Sequence, residues 1–170
     1  VLNVPSPVAD EIRELRSFLD PSRAKLAIEI SLCGSNGRGI IAPGQPPEAV
    51  FAETDKIARR THPFSARFDS IKRFPDTGIF YYTLTDPAPF EKLHKMFADS
   101  KINFLPTNFA YEPHCTIKLS SKFHYTEEQI IARLYPPQEE FVIDTISIYS
   151  LNLDKNIPRL LHRVNLQETS

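Results

Sequence analysis

The residues that offer the most chemistry are His114, Thr116 and Lys118, spaced two apart and alternating with Cys115, Ile117 and Leu119. That spacing is the period of a half-buried strand. Pro113 biases Glu112 toward an extended conformation and so leads the chain into the strand. One face is then apolar, and the other carries an imidazole, a hydroxyl and an ammonium in a row. Same-face neighbours on a strand stand roughly 6.6 Å apart, so all three can reach one phosphate-sized anion. An imidazole moves protons near neutral pH because its unperturbed pKa is about 6.5. An edge strand whose polar face simply meets water has the same spacing.

The elements that must position these residues follow from periodicity. Residues 1–4 read as the end of a short strand, broken by Pro5-Ser6-Pro7. Residues 8–19 have helical period, with Val8, Ile12, Leu15 and Phe18 or Leu19 on one side and charges on the other. Residues 25–33 form the next strand, with Leu26, Ile28, Ile30 and Leu32 opposite Ala27, Glu29, Ser31 and Cys33. The glycine-rich turn over 34–39 either presents backbone N–H groups to a phosphate or is a flexible loop. It matches neither Walker A nor a dinucleotide fingerprint. Residues 48–60 are a second helix, with Val50 or Phe51, Ile57 and Ala58 inward. Residues 63–74 and 79–84 alternate about Pro75-Asp76-Thr77-Gly78, which predicts an antiparallel hairpin. A third helix spans 87–100 with Phe90, Leu93 and Met96 or Phe97 inward and His94 at the surface. A loop over 103–110 then leads into the His114 strand. Thr126 and Gln129 predict a capping box for a helix over 126–135. Strands over 140–153 and 159–166 close the chain, joined through Asn156-Ile157-Pro158.

This order is a β-α-β-α-β-β block followed by its partial copy. In a duplicated chain the counterpart of His114-Cys115-Thr116-Ile117 lies in the strand after the first helix, at Glu29-Ile30-Ser31-Leu32. Ser31 matches Thr116. Glutamate stands where symmetry calls for histidine.

Two such strands, one in each half, resemble those of the two-histidine phosphoesterase superfamily, which includes bacterial 2'-5' RNA ligase-like proteins and cyclic phosphodiesterases. The likeness covers nearly the whole chain: the leading strand and helix, His62-Pro63-Phe64, the helix over 87–100, Pro113-His114-x-Thr116 and the closing hairpin. It implies an α+β fold of two pseudo-symmetric lobes, with antiparallel sheets, helices on the outer faces and a central groove, as a single domain over 1–170. It also implies chemistry without metal or cofactor. One imidazole takes the nucleophile's proton and the other protonates the leaving oxygen, while two hydroxyls hydrogen-bond the non-bridging oxygens. Carried onto this chain, the catalytic candidates are His114, Thr116, Glu29 and Ser31. The substrate-binding candidates are Lys118, which adds positive charge, and Tyr81 or Tyr82, which offer a stacking surface to a base unless they are core tyrosines. His62 cannot replace the missing imidazole, because it begins a different strand.

A carboxylate about 4 Å from a phosphodiester repels it by on the order of 1–4 kcal/mol. One positioned proton-transfer group is worth about 10²- to 10⁴-fold in rate. Reduced or lost activity is therefore the leading expectation. Two rescues stand beside it: a Glu29 protonated by desolvation and like charge, acting as an acid, or a Glu29 paired with His114 to hold the imidazolium. The expected function is a diverged phosphodiesterase acting on a cyclic phosphate of a nucleotide or RNA end. The alternatives are an inactive nucleotide- or phosphate-ligand-binding module and a scaffold with a vestigial groove.

Composition narrows the partners. Twenty basic against 21 acidic residues give a net charge of -1, against the basic excess that long duplex or single-stranded nucleic acid normally requires. A small phosphorylated ligand needs only a local basic pocket. The sequence has no apolar run of membrane-spanning length and no signal-peptide pattern. Cys33 and Cys115 lack both a disulfide framework and metal spacing, so a reducing cytoplasm is expected. We expect a monomer. The lysine motif of nucleotidyl transfer is not visible, so ATP-driven ligation is not expected.

Overall fold

The computed structural model describes residues 1–120, 125–150 and 158–167, without the side chain of Glu127. Its elements are β1 (Leu2–Asn3), α1 (Val8–Leu19), β2 (Glu29–Ile30), α2 (Pro47–Ala58), β3 (Phe64–Ala66), β4 (Phe68–Arg73) and β5 (Phe80–Leu84), then α3 (Ala88–Ala98), β6 (Cys115–Lys118), α4 (Tyr125–Ile131), β7 (Phe141–Ile143), β8 (Thr145–Ser150) and β9 (Arg159–Asn165). The strands make three antiparallel sheets: β2-β1-β8-β9, β4-β5-β6, and the pair β3-β7.

The repeat is explicit in this topology. β1-α1-β2-α2-β3-β4 is answered by β5-α3-β6-α4-β7-β8, with β9 added at the end. In each half the motif strand pairs with the half's own first strand, β2 with β1 and β6 with β5. The last strands cross over: β4 pairs with β5 of the second half, and β8 pairs with β1 of the first. β3 and β7 pair with each other. The architecture is the expected α+β arrangement of antiparallel sheets and helices.

The crossing depends on single residues. The strands read as continuous over 63–74 and 140–153 are each interrupted once, at exposed Arg67 and Asp144. The Arg67 carbonyl accepts from Thr85 N–H and the Asp144 carbonyl from Leu166 N–H, so the chain turns into a new sheet without losing those bonds. The strand expected over 25–33 pairs regularly only at Glu29–Ile30, because its partner β1 is two residues long and Pro5 follows soon after. Its alternation survives all the same: Ile28, Ile30 and Leu32 are buried.

One core joins the halves, with Leu2, Ile12 and Ile30 from the first and Phe80, Phe90, Leu93 and Ile117 from the second. Each such side chain contributes about 1.5–3 kcal/mol when fully buried. On α1, of Phe18 and Leu19 it is Leu19 that packs against the core while Phe18 is 77 % exposed, and Arg16 is buried as well. α4 begins at Tyr125, so Thr126 lies within the helix rather than at its N-cap. The end of the expected strand over 151–153 and the Asn156-Ile157 connection lie outside the described residues.

Candidate active site

The β4-β5-β6 sheet sets out the site in rows. Ile71, Tyr82 and Cys115 lie opposite one another in register, and so do Lys72, Tyr81 and Thr116. Side chains alternate along a strand, so the first row faces the core and the second faces away from it. Tyr82 is therefore a core residue, packed on Phe68 with ring centroids 5.2 Å apart, and does not line the face that carries Thr116. The next pairing is Phe80 with Lys118, which leaves Ile117 as the extra residue of a bulge. Beyond the bulge Lys118 lies opposite buried Phe80 and is only 9 % exposed, while Leu119 turns outward. The expected row of three thus ends at Thr116, and the cation on that face is the exposed Lys72 of β4.

His114 is held from three sides. Its Nδ1–H donates to the Glu112 carbonyl at 2.6 Å, since a carbonyl can only accept. Its ring meets Phe74 and Tyr81 edge-on, at 5.2 and 5.0 Å. Burial pushes its pKa below 6.5, against the opposing pull of the hydrogen bond to the Glu112 carbonyl and of the Glu112 carboxylate. The imidazole is therefore neutral at neutral pH, with its proton on Nδ1 and a lone pair on Nε2. Tyr81 stacks on Phe74 at 4.3 Å, donates its hydroxyl to Glu112 Oε1 at 3.1 Å and is 4 % exposed. Burial and Glu112 push its pKa up to about 12. Tyr81 forms part of the wall around His114 and has too little open surface to serve as a stacking platform for a base.

β2 runs beside β6. The Arg16 guanidinium donates from Nη1 to the Ala27 carbonyl at 3.1 Å, and from Nε at 3.1 Å and Nη2 to the Thr116 carbonyl. Burial raises the Glu29 carboxyl above its ordinary range, against the pull of the Val1 amino group, Arg16 and Arg23. The direction is the one expected of a protonated Glu29. Its cause is desolvation, and the protein charges around it, the Val1 amino group, Arg16 and Arg23, pull the other way. The carboxylate that acts on His114 is Glu112. Ser31 follows on the face of Glu29, and its carbonyl accepts from Tyr111 Oη at 3.1 Å.

The sequence pattern of the 2'-5' RNA ligase superfamily matches residues 4–155. The chain belongs to that superfamily. Its fold is similar to TT0787 of Thermus thermophilus (TM-score 0.64, 14% identity, covering 97% of this chain and 94% of that one). It is also similar to E. coli LigT in apo form (0.64, 16%, 98% and 95%) and to LigT complexed with 3'-AMP (0.63, 15%, 98% and 95%). No curated protein sequence matches it.

Within this member of the 2'-5' RNA ligase superfamily, four features depart from what their sequence positions suggest: the glycine-rich loop, His94, Arg16 and Glu112. The glycine-rich loop is not a free loop but docks on the second half. Gly37 N–H donates to Phe109 O at 2.8 Å, Gly39 N–H to Asn36 O at 3.3 Å, and Thr107 Oγ1 to Gly37 O at 2.9 Å. Gly37 has φ +62°, and a Cβ there would lie 2.5 Å from His94 Cε1 and 2.9 Å from Tyr111 Cβ. His94 is not a surface histidine: its Nδ1–H donates to Leu32 O at 2.6 Å, and its ring stacks on Tyr111 at 3.9 Å. Arg16 was hidden by its charge. Glu112 was signalled only by its place two residues before His114. A cavity of about 200 Å³ beside this wall is lined by Lys72, Thr83, Tyr111 and Glu112 among others. Among the described residues no cluster of three His, Cys, Asp or Glu side chains is placed to hold a metal, and no helix is long and apolar enough to cross a membrane.

Proposed function

We propose that this protein is a diverged, metal-independent phosphodiesterase that opens a cyclic phosphate of a nucleotide or RNA end, with His114 Nε2 as its proton-transfer atom. One observation carries the reading: Nδ1 is committed to the Glu112 carbonyl, so the neutral ring presents a basic Nε2 at the end of a strand that also bears Thr116. In this mechanism Nε2 takes a proton from water as the water oxygen bonds to phosphorus. The bond from phosphorus to one ribose oxygen breaks, and that oxygen is protonated by solvent or by the carboxyl of Glu29, whose pKa burial raises. Thr116 and Ser31 donate to non-bridging oxygens as charge builds, and Lys72 offsets part of that charge. The 3'-AMP held by LigT supports a nucleotide-sized ligand. We take residues 1–170 to act as one domain, a cytoplasmic monomer working on a small ligand rather than on duplex nucleic acid.

Glu29 in the first motif favours a second reading, a nucleotide- or phosphate-ligand-binding module without turnover. Hydrolysis of a 2',3'-cyclic nucleotide separates the two. Turnover by the wild type with a loss of about 10²- to 10⁴-fold in His114→Ala is the expected result. Equal rates for the two proteins would sink the enzyme reading, and binding without turnover would establish the second.

A further inference from the structure

We propose that Asn36 is a positioning residue for His114: its side-chain amide holds the Glu112 carbonyl that fixes which imidazole nitrogen carries the proton. Asn36 lies in the docked glycine-rich loop of the first half and is 7 % exposed. Its Nδ2 donates to Glu112 O at 3.1 Å, and the same oxygen accepts His114 Nδ1–H at 2.6 Å. A carbonyl has two lone pairs. Here each receives one donor, so a rotation of the Glu112 peptide costs both bonds at once. The Glu112 side chain is held separately through Tyr81 Oη, and the loop beneath Asn36 is held by Gly37 N–H and Thr107 Oγ1. A buried amide that loses its acceptor is costly, which keeps Asn36 in place.

The neutral side chain of a solvent-exposed histidine prefers the proton on Nε2. Holding it on Nδ1 therefore needs an acceptor that does not move, and Asn36 immobilises that acceptor. The catalytic consequence rests on the reading of His114 as the proton-transfer group; the tautomer does not.

The test is imidazole ¹⁵N NMR on the whole chain, with Asn36→Ala and Asn36→Asp compared with wild type. Asn36→Asp keeps the shape of the side chain and removes the donor. In wild type His114 is expected as a single neutral Nδ1–H tautomer titrating below an ordinary histidine. In both variants an Nε2–H population is expected with kcat down about tenfold at unchanged KM, and in Asn36→Ala the titration midpoint moves further down, because the hydrogen bond to the Glu112 carbonyl that pulls it up is weakened. A wild-type His114 carrying its proton on Nε2 would overturn the proposal, whatever the variants do. So would a folded variant that keeps the single Nδ1–H tautomer and the wild-type midpoint. Wild-type protein with the expected tautomer but no turnover would remove the enzyme reading and leave this inference standing.

Discussion

The two halves of this chain share a topology and differ in what they contribute. The second half carries the imidazole at His114, the hydroxyl at Thr116 and Tyr81 beside them, and Phe74, at the very end of the first half, completes the aromatic wall. The first half carries Glu29 on β2, the strand that follows its own first helix. It also sends two side chains toward the other half: Arg16 onto the Thr116 carbonyl and Asn36 onto the Glu112 carbonyl. Those carbonyls bracket His114 in sequence. The first half is therefore not dispensable to the imidazole of the second, because it holds the backbone on which that imidazole stands.

The comparison can be tested directly. Restoring symmetry with Glu29→His is expected to raise cyclic-nucleotide turnover by up to about 10²-fold, the lower end of what one positioned proton-transfer group contributes. Ala27→His, two residues earlier on the same face of β2, is the register control. A gain at Ala27 and none at Glu29 would shift the first motif by one position on that face. Removing the cross-brace with Arg16→Leu leaves the Ala27 and Thr116 carbonyls without their donor. Each buried orphan costs about 1–3 kcal/mol, so a loss of about 2–5 kcal/mol should appear in urea unfolding; a loss under about 1 kcal/mol would show that the brace is not needed. Gly37→Ala places a methyl against His94 in a left-handed backbone and is expected to cost about 1–3 kcal/mol.

The smallest effect separates the two motif residues by pH. Below about pH 4.5 the Glu29 carboxyl is protonated in both folded and unfolded chains. As pH rises past that value the unfolded chain ionises first, so stability falls until the folded carboxyl ionises too. His114 acts in the opposite sense. Its stabilising contribution is complete above pH 6.5 and is lost as pH falls through its lowered folded value. Stability measured across about pH 4 to 8 should lose its decline on the way up in Glu29→Gln and its decline on the way down in His114→Gln. Unchanged slopes in these variants would show that neither group is perturbed by burial.

Much of the fold was legible because periodicity reports burial directly. The helices over 8–19, 48–60 and 87–100 and the duplicated order of elements needed nothing more, and the duplication pointed to His114. What escaped was set by tertiary context. The bulge at Ile117 has no glycine or proline to announce it, so Lys118 read as a neighbour of His114 when it lies across from Phe80. Single polar residues, Arg67 and Asp144, look like ordinary outward positions on a strand and yet mark where the chain changes sheets. Arg16 read as solvent-facing because charge usually is, and only the approach of β2 to β6 supplies the carbonyls that make its burial tolerable. Tyr81 and Tyr82 are adjacent in sequence and both buried, and only the register decides which of them meets His114.

The crossing of β4 and β8 has a further consequence, for scission of the chain. A protease cut at Asp76, in the turn between the halves, would not set them free. Each fragment would still thread one strand through the other's sheet, with β3 and β7 clasped between them. The halves are interlaced like two hooks, and to part them would require unfolding both.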